Sequence, residues 1–318
     1  MKIPKYLNKI FLFILGIATI LYVTSLIQSD MDEIKKVTSE LSVFSILLAI
    51  FLYFLSHLFR VMRLLLLSPN PTISIRELCI EQIKANGVNL MVPFRMGESY
   101  RVIVFKKFFS SYTNSFVILV CERLLDIILI ASILFLATIF SDIQLEILNP
   151  VIATTSVLLL IILLMYFSLE EFLAVIHKIF LSKQTTKTTL AIIINTSRFI
   201  KILKKTKEIF TSKLPSCILI TIVIWFLEIL VFYILFSFLE LDILIMVFLA
   251  ICIALSSLLP NGPAGYGGVQ LAFYLIGISI GFDSLINYSF AYNIYIFGTA
   301  ITVSGILFFI TLLSSKKN

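Results

Sequence analysis

Long stretches of apolar residues recur along this chain, and no other feature constrains its fold as strongly. A helix needs about 20 predominantly apolar residues to cross the hydrocarbon core of a bilayer, and most of these stretches approach or exceed that length. They cover residues 10–27, 43–67, 114–140, 151–169, 215–238, 243–259, 269–282 and 286–313. We therefore predict an all-α polytopic membrane protein with about eight membrane segments.

The composition excludes the main classes of water-soluble protein. Of the 318 residues, 60% are hydrophobic and only 14% are charged. A soluble domain carries about 25% charged residues, so this chain lacks the charge for a fully water-facing surface. This composition excludes a soluble enzyme, a disordered chain and a nucleic-acid-binding domain. The net charge of +7 is therefore interpreted through the side of the membrane on which the basic residues lie.

The distribution of basic residues predicts which ends of the segments face the cytoplasm, because cytoplasmic loops retain lysine and arginine. Three lysines lie within residues 1–9, nine basic residues lie within 170–214, and Lys316 and Lys317 lie near the C-terminal end. The connections at 28–42, 141–149, 239–242 and 283–285 are acidic, and their only bases are Lys35 and Lys36. We predict a multi-pass protein of the cytoplasmic (inner) membrane with both termini in the cytoplasm.

The same basic stretch divides the chain. We predict a single transmembrane domain over residues 1–318, with an N-terminal half (1–169), a cytoplasmic basic linker (170–214) and a C-terminal half (215–318). Two interpretations of the linker stay open: a solvated loop, or a helix lying on the anionic inner leaflet around residues 199–210.

Two stretches interrupt the apolar pattern at similar places in the two halves. The first, 86–101, contains Pro93 and Gly97; the second, 256–270, contains Pro260, Gly262, Pro263, Gly265, Gly267, Gly268 and Gln270. Proline and glycine both weaken a helix, so the backbone is predicted to unwind there. Paired interruptions in corresponding halves indicate the binding site of a transporter. Surface loops are the alternative, and residues 73–107 either lie on the cytoplasmic face or re-enter the membrane.

Charged residues inside the apolar runs are the second sign of a site, because each costs about 2.5–3.5 kcal/mol at the centre of a span. Arg60 and Arg63 share roughly one face of the second segment, where they either snorkel to lipid phosphates or bind a headgroup phosphate inside the protein. Glu122 and Asp126 share a face of the next segment and require a facing cation.

The cations available to these carboxylates are Arg60, Arg95 and Arg101, and Glu98 lies one turn from Arg101. A purely structural network of ion pairs is an equally open interpretation. Glu228 is an isolated acid within the fifth segment, and it either carries a proton or pairs with an arginine across the bundle.

No metal centre or cofactor is expected. The two histidines lie far apart, and the four cysteines form no CxxC pair. Residues 265–270 lack the acidic residue and the βα unit of a nucleotide-binding glycine loop, and the chain has no Walker lysine.

Taken in order, these residues resemble the lysylphosphatidylglycerol synthase transmembrane family, also called flippase-like integral membrane proteins. The resemblance covers almost the whole chain, and its specificity comes from the ordered set rather than from any single motif. The set is Asn89, Pro93, Arg95, Gly97, Glu98 and Arg101, then Glu122, Arg123 and Asp126, then Pro260, Gly262, Pro263, Gly265, Gly267 and Gln270. Arg60 and Arg63 resemble the basic end of the second span of the family.

The resemblance implies a polytopic helical domain, which in the best-understood members moves aminoacylated phosphatidylglycerol to the outer leaflet. Other relatives stand alone and are linked to polyprenyl-linked glycan or cell-envelope assembly. Two features depart from the family. Gln270 stands where the family often has glutamate, and the chain ends soon after its last apolar run, so the synthase activity of a soluble aminoacyl-transferase domain is not expected.

We interpret the chain as a lipid translocator, not an enzyme, that moves an anionic phospholipid or a polyprenyl-phosphate-linked lipid between leaflets. A separate glycosyltransferase or aminoacyl transferase is the expected protein partner. The alternatives are a membrane enzyme or accessory subunit of glycolipid synthesis, with Glu98 or Asp126 as base, and a scaffold without turnover. The residues expected at the headgroup are Arg60, Arg63, Asn89, Arg95, Glu98, Arg101, Glu122, Arg123 and Asp126.

Overall fold

The chain folds into packed helices in the computed structural model. The structure describes residues 31–68, 72–92, 97–140, 148–182, 187–256 and 265–314, together with Ile10, Phe13 and Ile17, and these residues include no β-strand. The helices are α1 (Met31–Glu40), α2 (Val43–Leu67), α3 (Ile75–Met91), α4 (Gly97–Phe109), α5 (Tyr112–Phe140), α6 (Leu148–Leu181), α7 (Lys187–Phe236), α8 (Ile243–Ser256), α9 (Gly268–Ile280), α10 (Leu285–Tyr292) and α11 (Thr299–Ser314). A π-helical turn, Asn293–Gly298, joins α10 to α11.

Three helical stretches among the described residues are long and apolar enough to cross a membrane. They are Val43–Leu67, Thr211–Leu239 and Leu285–Ser314, and their bounds lie within a few residues of three predicted runs. α8 and α9 are apolar but shorter. The predicted run at 10–27 lies outside the described residues except for three positions. The full number of membrane segments and the side of the termini therefore stay predictions.

The first predicted interruption, 86–101, is shorter than expected, because α3 continues to Met91 and α4 begins at Gly97. The helices on either side of both interruptions are short. α3 and α4 flank the first and have 17 and 13 residues; α8 and α9 flank the second and have 14 and 13 residues. These lengths fall below the roughly 20 residues of a full span. The first turn of α3 is exposed, but Glu81 and Lys84 are 5% and 0% exposed, so the helix enters the bundle from Leu78 onward.

The described residues of 170–214 are helical except Ser182, which forms a turn after α6. α6 continues to Leu181, and α7 begins at Lys187 and runs for 50 residues, which is about 75 Å of helix. The two arms contact each other through an ion pair between Lys207 and Glu170, with 2.9 Å between Nζ and Oε2. A helical hairpin therefore replaces the solvated loop as the description of this segment, and its place on the inner leaflet stays a prediction.

The two halves of the chain pack against each other. α2 packs along α7 more extensively than any other pair of helices, and α3 packs against α11. A Cβ added at Gly87 of α3 would overlap the side chain of Ser304 in α11, so these two backbones approach very closely. Helices from both halves can therefore contribute side chains to one internal space.

Candidate functional site

Arg63 occupies the centre of the buried charges. It extends from α2 toward α5, where its Nη1 lies 2.8 Å from Oδ1 of Asp126 and its Nη2 lies 3.2 Å from Oε1 of Glu122. Nη1 also donates a hydrogen bond to the hydroxyl of Thr221 on α7. The side chains of Arg63 and Glu122 are both 0% exposed. Arg63 thus supplies the cation that the two carboxylates on one face of α5 require.

The same carboxylates are bound from the other side by Arg101 and Arg123. Nη2 of Arg101 lies 2.6 Å from Oε2 of Glu122, and its Nη1 lies 3.1 Å from Oε2 of Glu98. Arg123 pairs with Glu98 through Nη2 and lies 3.3 Å from Oδ2 of Asp126 through Nη1. The contacts therefore alternate in charge and close into a ring, the ion-pair ring: Asp126, Arg63, Glu122, Arg101, Glu98 and Arg123.

Arg60 and Glu228 extend this ring toward α7. Nη1 of Arg60 lies 3.7 Å from Oδ2 of Asp126, and its Nη2 lies 3.3 Å from Oε1 of Glu228. Ser56 donates a hydrogen bond of 2.6 Å to the same oxygen of Glu228. Of the two interpretations of Glu228, the pairing with an arginine across the bundle agrees with the structure.

The ring and its extension balance their formal charges. Four arginines and four carboxylates take part, so the described cluster is neutral when all eight are ionised. Removing one member of a buried ion pair costs about 3–5 kcal/mol, because the remaining charge is left without a partner. The cluster therefore holds α2, α4, α5 and α7 together.

A cavity of about 470 Å³ lies beside the cluster, within the usual range for small-molecule sites. One wall is polar and includes Arg60, Arg101, Arg123, Glu98 and Glu228. The lining also includes apolar side chains, among them Ile127, Ile130, Phe232, Ile253, Leu255 and Phe297. Arg63 does not line this space. The site thus presents charged groups and apolar side chains to the same occupant.

Exposure separates the members of the ring. The side chains of Arg123 and Glu98 are 32% and 26% exposed, whereas those of Arg63 and Glu122 are sealed. Arg101, Glu122 and Asp126 also line the cavity, but the pair of Arg123 and Glu98 is the most exposed part of the ring.

The predicted site residues are distributed over three places. Arg60, Asn89, Glu98, Arg101, Glu122, Arg123 and Asp126 line the cavity, and Arg63 lies behind it. Gly97 begins α4, where an added Cβ would overlap Asn89. Pro93, Arg95, Pro260, Gly262 and Pro263 lie outside the described residues.

The described end of the second interruption starts α9. Gly265 and Gly267 have φ values of +71° and +93°, which favour glycine. The backbone amide of Gly267 donates a hydrogen bond of 2.7 Å to Oε1 of Gln270. This bond caps the first turn of α9, which begins at Gly268. An amide oxygen accepts this hydrogen bond as well as a carboxylate oxygen does. The cap is therefore kept although Gln270 stands where the family often has glutamate.

Two further groups of residues were not singled out from the sequence. Gln82, Asn86 and Tyr53 line the cavity. A second buried cluster joins α3 to α4, because Glu81 contacts Lys84, Lys107 and the hydroxyl of Tyr100. Polar residues at helical spacing on α3 were the available signal. No group of three or more potential metal ligands occurs among the described residues.

Comparisons with known proteins agree with the resemblance. The model of the family described as "Lysylphosphatidylglycerol synthase TM region" matches residues 11–313. A UPF0104 membrane protein of Methanocaldococcus jannaschii is 28% identical over 246 residues, which cover 73% of this chain and 98% of that protein. No solved structure matches the chain.

Proposed function

Since the chain belongs to the family of the lysylphosphatidylglycerol synthase transmembrane region, an integral membrane family, we propose that it moves a lipid between the leaflets of the cytoplasmic membrane. The proposed cargo is an anionic phospholipid or a polyprenyl-phosphate-linked lipid. The observation that carries this proposal is the cavity, whose lining combines the partly exposed pair of Arg123 and Glu98 with apolar side chains.

An anionic headgroup suits the accessible side of the ion-pair ring. Arginine presents a planar fork that matches a phosphate with two parallel hydrogen bonds. The carboxylate of Glu98 contacts Nη2 of Arg123, and Asp126 contacts its Nη1. A phosphate that displaces Glu98 replaces one anion by another, while Arg63 and Glu122 keep the helices together.

The apolar part of the cavity suits the hydrocarbon next to the headgroup. The first carbons of a lipid tail come from a hydrocarbon environment, so apolar side chains can receive them at little cost in free energy, whereas a fully polar cavity would not. The cavity is too small for complete acyl chains, which would remain in the bilayer. We propose that the two interrupted segments supply free backbone groups to the headgroup as it crosses.

We place this activity in a protein of about eight membrane segments with both termini cytoplasmic. The proposed role is transport without chemical conversion of the lipid. A separate glycosyltransferase or aminoacyl transferase would make or use the cargo.

The test is lipid translocation in proteoliposomes that carry fluorescent phosphatidylglycerol. A membrane-impermeant quencher reports how fast label moves from the inner leaflet. We expect wild-type protein to accelerate this movement and Arg123→Gln to slow it about tenfold or more, because a hydrogen bond to a charged group contributes about 1.5–3 kcal/mol. Arg198→Gln, an exposed arginine on α7, is the matched control and should match wild type.

Two results would contradict the proposal. The first is wild-type movement no faster than in protein-free liposomes for phosphatidylglycerol and for a polyprenyl phosphate. The second is a chemically altered lipid in the same liposomes, which mass spectrometry would detect and which would indicate an enzyme.

A further inference from the structure

Glu228 is the carboxylate of the cluster with the fewest cationic partners. Its Oε1 lies 3.3 Å from Nη2 of Arg60 and accepts a hydrogen bond of 2.6 Å from Ser56. The other three carboxylates of the cluster each contact two or more arginines. Among the described residues, Glu228 therefore relies on a single arginine to balance its charge.

The charged and titratable groups around Glu228 come from three other helices. They are Tyr53, His57 and Arg60 of α2, Asp126 of α5 and Tyr292 of α10. α8 also packs against α7 but contains no acidic or basic residue, and the charged residues of α6 lie beside the hairpin end of α7. No lysine or second arginine of the described chain therefore contacts Glu228.

The arginine that balances Glu228 is shared with the ion-pair ring. Nη1 of Arg60 lies 3.7 Å from Oδ2 of Asp126, and Nη1 of Arg123 lies 3.3 Å from the same oxygen. The guanidinium groups of Arg60 and Arg123 therefore lie side by side, and both line the cavity. A phosphate that binds Arg123 also attracts Arg60, because charges attract more strongly in a cavity that holds little water.

Glu228 is open to the cavity and can hold a proton. Its side chain is 16% exposed and lines the cavity. Both hydrogen bonds reach Oε1, and Oε2 accepts none from the described residues. A proton on Oε2 leaves Oε1 free to accept the hydrogen bond from Ser56, so the neutral acid keeps this contact.

An anionic headgroup changes the charge of the site by one. The cluster is neutral when its four arginines and four carboxylates are ionised, and the carboxylates stay in place when a phosphodiester enters. A carboxylate next to a further anion binds a proton more readily. One proton restores neutrality, and Glu228 binds it at the lowest cost in free energy because it gives up the fewest ion pairs.

We propose that Glu228 is a proton-binding site coupled to the headgroup. One proton from the aqueous phase binds Oε2 of Glu228 as the anionic headgroup enters the cavity, and it leaves with the headgroup. Lipid and proton are thus carried together, so a pH difference across the membrane drives the lipid toward the alkaline side. This inference rests on the proposed function, because it assumes that a lipid headgroup enters the cavity.

Proton uptake by the purified protein in weakly buffered detergent is the test, with phosphatidylglycerol as the probe. A phosphodiester lacks the second ionisation of a phosphate monoester at about pH 6, so this lipid does not itself titrate between about pH 5 and 8. A pH-indicator dye records the protons taken up as lipid is added, and native mass spectrometry records the lipid retained. We expect uptake of up to about one proton per lipid, and retention that strengthens by up to about tenfold per unit fall in pH.

Variants locate the proton. Glu228→Gln keeps the size and the hydrogen-bond acceptor of the side chain but cannot bind the proton, so it should retain phosphatidylglycerol without proton uptake and without pH dependence. Glu208→Gln, an exposed acid on the same helix, is the matched control and should match wild type. Arg60→Gln is a second variant that should also abolish uptake, because Glu228 without its arginine is already neutral in the empty site.

The coupled movement is tested in the proteoliposomes described above. An interior more acidic by one pH unit should speed the movement of phosphatidylglycerol from the inner leaflet by about threefold or more in wild type. The same difference should leave Glu228→Gln unaffected. Equal wild-type rates with and without the pH difference would overturn the joint transport of lipid and proton.

The binding outcomes separate this inference from the proposed function. Retention that Arg123→Gln abolishes, with no proton uptake in wild type, overturns the coupling and leaves the headgroup site standing. Uptake that persists in Glu228→Gln overturns the assignment of the proton to Glu228. Retention that is the same in wild type and Arg123→Gln overturns the headgroup site itself.

Discussion

The arginines of the ion-pair ring differ in their surroundings, and this difference assigns them different roles. Arg63 is sealed between α2, α5 and α7, whereas Arg123 is 32% exposed beside the cavity. From the sequence, both were expected to bind a headgroup. A single sequence places charges on helix faces but does not give the register between helices. It could therefore predict that Glu122 and Asp126 need a cation, but not that Arg63 supplies it.

At this scale we predict opposite effects for two substitutions. Arg63→Met should lower the free energy of unfolding by about 3–5 kcal/mol, because it removes the fully buried cation that Glu122 and Asp126 share and leaves the cluster with one net negative charge. Arg123→Gln should change stability far less and should instead slow lipid movement. Thermal unfolding in detergent measures the first effect, with Arg198→Met as the control. An Arg63→Met protein as stable as wild type would show that the ring does not hold the helices together.

Among the helices, the contact between α3 and α11 helps to place α3 beside the cavity. Gly87 of α3 faces Ser304 of α11, and the hydroxyl of Ser304 donates a hydrogen bond of 3.1 Å to the backbone carbonyl of Lys84. The sequence identified the interruption after α3 from Pro93 and Gly97. It did not identify α11 as the neighbour of α3, because this contact joins residues more than 200 positions apart.

We predict that Gly87→Ala destabilises the protein, because its new methyl group overlaps Cβ and Oγ of Ser304. Overpacking of this kind typically costs about 1–3 kcal/mol. The second substitution Ser304→Gly removes both overlapping atoms, so the double variant should regain much of the lost stability. Melting temperatures of the two single variants and the double variant check this. Additive losses in the double variant would contradict the close approach of α3 and α11.

For the whole molecule, the apolar pattern predicted the helical class and the bounds of several helices. Val43–Leu67 agrees with its predicted run at both ends. Hydropathy failed where polar sequence continues a helix. α6 and α7 extend through much of 170–214. The lysine, threonine and isoleucine residues there are compatible with a helix, although they do not form a long apolar run. The cavity could not be predicted, because it forms only where helices from both halves meet.

The central claim for the whole molecule is that lipid enters this cavity. A photoactivatable benzoylphenylalanine at Leu255, which lines the cavity, can capture a lipid that enters it. The same residue at Phe309, which is 56% exposed on α11, captures lipid around the protein and serves as the matched control.

Mass spectrometry of irradiated proteoliposomes is the measurement that tests this claim most directly. We predict lipid adducts at both positions, with Arg123→Gln abolishing the adduct at Leu255 and leaving the adduct at Phe309 unchanged. Adducts at Phe309 alone, or an adduct at Leu255 that does not depend on Arg123, would contradict a headgroup site in the cavity.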